Sequence, residues 1–570
     1  MRPMRHIRNY FLLITCAALI ACDQSEKTAD PTLSAVKAPI QDLATRAGAP
    51  LFDGMGEFSM PITTADPDAQ RYFDQGMVLA FAFNHAESVR SFKAAQNLDP
   101  NCSMCFWGEA LAIGPNINVT SKGKVIMSPA ERKAAFGAIS QALALAPNAS
   151  LREQAYIRAL AQRYNGDPDT PRAPLDEAWA KAMGEVTKAY PNDLTAAAIH
   201  AEALMNTMPW NYWSDDLKAK PATQVVIANL ERVLEGAPDH PLAQHLYIHA
   251  LEASSTPERA EAVADRLTDL VPGAGHLVHM PAHIFYRVGR YNDAAEANIR
   301  AAAVDEAYIA QCNAQGFYPA LYYPHNIHFL WSSATMQGQR AVSLDSAQRV
   351  VDNVRVEQVK QFPTIEFFRT IPLLSMVRFG QWQAILSEPQ PFETFKFAEA
   401  IWRYARGVAL AATGEGPAAL AELALLEPLQ ADVAVTFLDK RDYPGSLLVG
   451  IAIDLLKGEI AYRQGDYVGA IPHFERAVAA QDTLPYTEPP FWYYPTRQSL
   501  GAALLKAGEP SEAEAVYRAD LKQYRHNGWS MFGLMQSLQA QGKTAEAAKV
   551  KVHFDAAWQF ADTELEASIL

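Results

Sequence analysis

The stretch 462–482, YRQGDYVGAIPHFERAVAAQD, decides the fold. Gly465 marks a turn, Tyr467 follows two residues later, and Ala470, Phe474 and Ala477 then recur at helical spacing. A helix that stops at a glycine and a second helix with small residues on one face read as a tightly packed helix pair. The frame returns at 286–306 (YRVGRYNDAAEANIRAAAVDE) and at 81–100 (FAFNHAESVRSFKAAQNLDP). Weaker copies follow Gly338, Gly380, Gly414, Gly508 and Gly542, and Pro100, Pro191, Pro238 and Pro272 end second helices.

This pattern resembles the tetratricopeptide repeat, two antiparallel helices in about 34 residues. The resemblance covers about 61 to 560, with insertions at 115–130, 165–175 and 209–222. It implies an all-α superhelical array of helix pairs, an α-solenoid with one concave surface. Residues 61–340 form a first set of repeats and 341–570 a second set. The aromatic insertion Pro209-Trp210-Asn211-Tyr212-Trp213 either folds over the concave surface or packs at a helix end.

The N-terminus reads as an address. Arg2, Arg5 and Arg8 precede the apolar run Tyr10–Ile20, which is short for a membrane span. Leu19-Ile20-Ala21-Cys22 resembles a bacterial lipobox, which implies a signal peptide over 1–22 and a lipid on Cys22. Asp23 resembles an inner-membrane retention signal. Residues 23–60 then form a tether and N-terminal extension. The expected location is the cell envelope, with the body held outside the cytoplasm and the membrane contacted through the lipid. A formal charge of -14 argues against nucleic acid as a partner. In an oxidising compartment Cys102 and Cys105 are open to three readings: a small disulfide, a redox pair or a metal pair. The lack of a thioredoxin-like context favours the disulfide.

The segment His240–His328 holds eight of the fourteen histidines. Counting back from the turn glycine of each repeat, His276, His279 and His283 lie 13, 10 and 6 residues before Gly289. His325 and His328 lie 13 and 10 before Gly338. His245, His249 and Glu252 lie 10, 6 and 3 before Ser255, and Glu202 lies 6 before Met208. Such offsets place side chains on one helical face. In the tetratricopeptide resemblance these slots face the concave groove. Pro281 raises the alternative that the helix starts near Met280, which would leave His276 and His279 on the entering loop. His240, beside Pro241, is read as a ligand or a cap.

Imidazoles with carboxylates in one stripe suit a transition metal: copper, zinc or iron. The expected ligands are His245, His249, His276, His279, His283, His325, His328, Glu202 and Glu252. Seven histidines exceed what one ion needs, which points to two ions or to histidines in supporting roles. An enzyme built on them would be a metal-dependent oxidoreductase or hydrolase. Tyr286, Arg287, Tyr322 and Tyr323 are candidate substrate contacts or core, and His85 and His473 read as structural. The competing function is a protein-interaction scaffold with its docking surface on the C-terminal repeats. The whole chain further resembles a group of bacterial lipid-anchored tetratricopeptide proteins, through CSMCFWGEALAIGPNIN (102–118) and HLVHMPAHIFYRVGRY (276–291), which brings no reaction with it.

Overall fold

The computed structural model of the protein describes residues 42–118, 127–214, 216–312 and 318–570. The expected signal peptide, Cys22, the tether to residue 41 and the middle of the 115–130 insertion lie outside the described residues. Among those described, the fold is all-α, and the sole β feature is an isolated bridge between Trp213 and Ala219. None of the described helices is long and apolar enough to cross a membrane.

The helices run as consecutive antiparallel pairs, from Pro67–Phe81 with His85–Leu98 to Gly528–Ala540 with Thr544–Ala557. Their ends follow local chemistry. Asp66, Asp193 and Asn527 cap helix starts with side-chain oxygens, while Ser128 and Ser150 form reciprocal boxes with Glu131 and Glu153. Gly289, Gly338 and Gly508 end first helices in the left-handed region, at φ of 86°, 75° and 88°. Stacking uses one recurring device, a ring from a second helix laid on glycines of first helices. Phe92 lies against Gly76 and Gly108, Phe474 against Gly458, and Tyr517 against Gly501 and Gly533. A Cβ at any of these glycines would enter the ring, so the pairs approach only because the side chain is missing.

The solenoid winds tightly enough for its two ends to grip the middle. On one side the first pair meets Tyr291–Cys312, where the Tyr308 hydroxyl donates to Glu87 (3.2 Å). The extension before it also lies on the central repeats, with Gly273 N–H bonding the Gly54 carbonyl (2.8 Å). On the other side Gln337 bonds the Ala557 carbonyl (2.6 Å) and Arg525 pairs with Glu258 (3.0 Å). A Cβ on Gly289 would run into the Arg525 carbonyl, and one on Gly338 into the Trp558 ring. Cys102 and Cys105 are joined as a disulfide in the first turn of Ser103–Ile113. Cys312 is free, with Arg90 donating to its sulfur (3.4 Å).

One carboxyl in the C-terminal repeats gives a clean test of this packing. Asp520 is fully buried and accepts from Ser530 (2.5 Å), while its other oxygen has no partner. Burial pushes it from 3.8 up to about 7, against Ser530 and the nearby arginines. A carboxyl that holds its proton more tightly when folded stabilises fully at about pH 4 and loses that contribution as pH rises to about 7. Asp520→Asn is therefore expected to match the native protein near pH 4 and to exceed it near pH 8. A change of that size corresponds to about 4 kcal/mol, readable in denaturant midpoints. Equal midpoints at both pH values would contradict this.

Candidate metal centre

Three consecutive first helices present the histidines: Pro241–Leu251, the segment Gly275–His279 continued by Pro281–Val288, and Tyr323–Gln337. Pro281 occupies a first-turn position, but Met280 before it is right-handed helical (φ −52°, ψ −38°) and its N–H bonds the His276 carbonyl (3.1 Å). The chain thus stays helical through the proline. The alternative that His276 and His279 lie on a loop is set aside.

Two groups of three imidazoles result, each with ring nitrogens within 4.8 Å of one another: His245, His249 and His276, and then His279, His283 and His325. Five of the six are at most 3% exposed, and His325 is half-buried. Their outward hydrogen bonds fix the rings. His245 Nδ1 meets the Phe81 carbonyl (2.6 Å), and His249 Nδ1 meets Glu252 Oε1 (2.6 Å). His283 Nδ1 meets Glu252 Oε2 (2.6 Å). His279 Nδ1 meets Asn298 Oδ1 (2.6 Å), an oxygen held in place because the Asn298 amide donates to the Ala294 carbonyl (2.7 Å). Every one of these partners is an acceptor, so Nδ1 carries the proton in all four rings. Their Nε2 atoms face inward. Those of His245 and His249 have no partner, nor has either nitrogen of His276.

The same arrangement recurs in both groups. Each takes its histidines from the slots 10 and 6 residues before the turn of one repeat, plus the slot 13 before the turn of the next. The rule also explains the two expected ligands that the structure sets apart. His328 has the right slot, but Ser332 fills the slot 6 before Gly338 and Phe367 the slot 13 before Gly380. Its ring instead lies flat on Trp331 (5.2 Å, 13°) and 5.5 Å from Phe367. Glu202 has Ala198 and Leu242 at the partner slots and is half-buried near Arg163, its carboxyl pushed up to about 7 by burial. Glu252 belongs to the cluster, but both its oxygens are taken by Nδ1–H groups, so it braces the two triads from outside. His240 is a cap, accepting from Ala243 N–H (3.4 Å) and bonded to Thr195 (3.2 Å).

Electrostatics separate the rings. Burial holds His245, His276, His279 and His325 well below their ordinary value, and neighbouring imidazoles add to it. His249 is also lowered, burial outweighing Glu252. These rings are neutral at neutral pH and keep their lone pairs. His283 goes the other way: burial works against its charge, but Glu252 and Glu488 carry it up to about 10. Glu252 is held well below the carboxylate range because His283 and His249 outweigh its burial. With both nitrogens protonated, His283 donates to Glu252 and, through Nε2, to His279 Nε2 (2.8 Å).

The surroundings come from distant parts of the chain. Phe83 occupies the turn position filled by glycine at Gly289, and holds it in the left-handed region at φ 55°, a costly conformation for a bulky residue. Its ring covers the first triad, 4.5 Å from His245 and 5.4 Å from His276. Trp210, from the aromatic insertion, stands edge-on to His249 at 5.1 Å, so this insertion does fold over the site. Tyr322 stands 4.7 Å from His276, whereas Tyr286, Arg287 and Tyr323 are engaged with Ser332, Tyr486 and Glu306. His85 bonds Asn116 and His473 lies by Arg476, apart from the site. Sequence reasoning missed Tyr486 and Glu488. They reach the site from the 485–495 loop, with Glu488 3.2 Å from His283 and Tyr486 3.3 Å from Glu252. Only the loop's interruption of the repeat frame marked it. A cavity of about 1120 Å³ opens beside the triads, with His249, His276, His283 and His325 on its wall.

No protein-family model matches the sequence, and no curated protein matches it either. Among solved structures, the human IFIT1 dimer with PPP-AAAA is 13% identical, with 86% of this chain and 90% of that one covered and a TM-score of 0.31. Yeast Tom70 is 13% identical over 86% and 91%, with a TM-score of 0.26. The TPR domain of P58(IPK) is 12% identical over 84% and 99%, with a TM-score of 0.21. Likeness at this level carries nothing about the site. The tetratricopeptide-like fold rests on the helix pairs themselves.

Proposed function

We propose that this protein is a metal-dependent enzyme of the cell envelope whose concave face holds two transition-metal ions, one per histidine triad. The observation that carries the reading is the set of four Nδ1–H groups tied to a carbonyl, an amide and a carboxylate, with the Nε2 atoms turned inward. Metal-binding histidines are oriented in this way by an outer partner. An all-imidazole donor set without thiolate suits copper or zinc, and the loss of Glu202 and Glu252 as direct ligands counts against a carboxylate-bridged iron pair. Bound there, zinc would supply a Lewis acid and copper one-electron chemistry. His325 keeps a lone pair for such an ion, which would displace the His283 Nε2 proton and so free the lone pairs of His283 and His279, while Glu252 braces both triads and the Phe83 ring covers the first.

The test is elemental analysis of residues 24–570, exported to an oxidising compartment and purified without a metal-affinity tag. Two equivalents of copper or zinc are expected; no metal, with none taken up on titration, would end the reading. The lipobox resemblance supports anchoring through Cys22. Cys22→Ser is expected to move the protein from the membrane fraction to the soluble fraction, and unchanged partition would refute the anchor.

A second reading, a protein-interaction scaffold, keeps one observation in its favour. Leu420, Leu425 and Val433 in the C-terminal repeats are 50%, 51% and 81% exposed. Solenoids of this kind bind partners on extended surfaces. The two roles are compatible, since these residues are absent from the cavity wall.

A further inference from the structure

The cavity beside the triads has two chemically different ends. The histidines form one. The other is built by the C-terminal repeats and is aromatic: Phe367 stacks on Tyr443 (5.2 Å, 17°) and lies 4.1 Å from Phe368, and Phe491 meets Tyr443 edge-on at 5.5 Å. His328, flat on Trp331, joins the two ends. Four aromatic residues of the wall are also solvent-exposed: Trp210 at 40%, Phe362 at 54%, Phe437 at 38% and Tyr486 at 39%. Exposed rings that continue into a cavity mark a place where apolar matter enters.

We propose that this cavity takes a planar aromatic small molecule of two or more rings bearing a polar substituent, stacked on the Phe367–Tyr443 wall with the substituent turned toward His283 and His325. The inference deepens the metal reading and rests on it for the chemistry, although not for the binding. Size supports it, because about 1120 Å³ exceeds the usual range of drug-sized pockets, about 300–1,000 Å³, and is far more than one ring fills. Shape supports it too. Paired rings favour offset-stacked or edge-on partners with their own π-system, which a saturated ring lacks. Strand addition by an extended peptide is disfavoured, since among the described residues the wall holds helices and loops such as 485–495 but no β-strand edge.

The experiment is calorimetric titration of the purified protein with 2-naphthol and with decahydro-2-naphthol, its saturated counterpart, alongside metal analysis of each sample. The aromatic probe is expected to bind about ten-fold more tightly. Phe367→Leu and the exposed-site variant Phe437→Ser are each expected to weaken 2-naphthol at least five-fold with metal content unchanged. Equal affinity for the two probes, or full 2-naphthol affinity in both variants, overturns the proposal. Tight 2-naphthol binding by protein that takes up no metal would support the cavity assignment and remove the metal reading alone.

Discussion

Glu252→Ala is expected to destabilise the protein by about 3–5 kcal/mol, the cost of stripping one partner from a buried ion pair, and to loosen both triads at once. Glu252 is fully buried, and its two oxygens accept from His249 and His283, one from each triad. Alanine leaves the buried His249 Nδ1–H without an acceptor, leaves His283 Nδ1–H with only the more distant Glu488 (3.2 Å), and removes most of the charge that holds the His283 proton. Losing an outer partner costs a metal site about 10–100-fold in affinity, here expected at both sites together. Glu252→Gln is the sharper control. Its amide offers one acceptor and one donor to two donors, so one triad keeps its brace while the other meets a clash of N–H groups. Denaturant midpoints in a chelator separate the folding effect from the binding effect. Asn298→Ala, by contrast, is expected to weaken only the triad of His279. Unchanged uptake at both sites in Glu252→Ala would show that the carboxylate braces neither.

Much of this site was legible in the sequence because repeats convert position into geometry. Once the turn glycines fix the register, a slot number specifies a face, and a shared face of adjacent first helices specifies a neighbour. That is why His245, His249, His276, His279, His283 and His325 could be named together. Two expected ligands failed for a reason the slots also contain: a triad needs three filled slots across two repeats. Glu202 lacks its partners at Ala198 and Leu242, and His328 meets Ser332 and Phe367. Slot logic stops at contacts closed by superhelical winding. Phe83, Tyr486 and Glu488 come from the two ends of the solenoid, and the pitch that brings them in is set by accumulated small rotations between pairs. No local pattern encodes that sum. Phe83 alone left a local trace, a bulky residue where other repeats place a turn glycine.

The quasi-equivalence of the triads gives the most discriminating result. His245→Ala is expected to leave one equivalent of metal, held by His279, His283 and His325, and His325→Ala to leave one equivalent on the other triad. Each variant removes an imidazole whose nitrogens lie within 4.8 Å of its two partners and leaves the second group intact. Loss of a direct ligand should exceed the roughly 10–100-fold that an outer partner costs, so the affected ion should be absent after purification. His328→Ala is expected to keep both equivalents, because that ring sits on Trp331 outside either group. The double variant His245→Ala, His325→Ala should carry none. Elemental analysis reads all four. The stoichiometry also separates one shared site from two: a single ion spanning all six histidines would be lost entirely, or kept entirely, in both single variants. One equivalent in each, and two in His328→Ala, is the pattern that two repeat-related sites require.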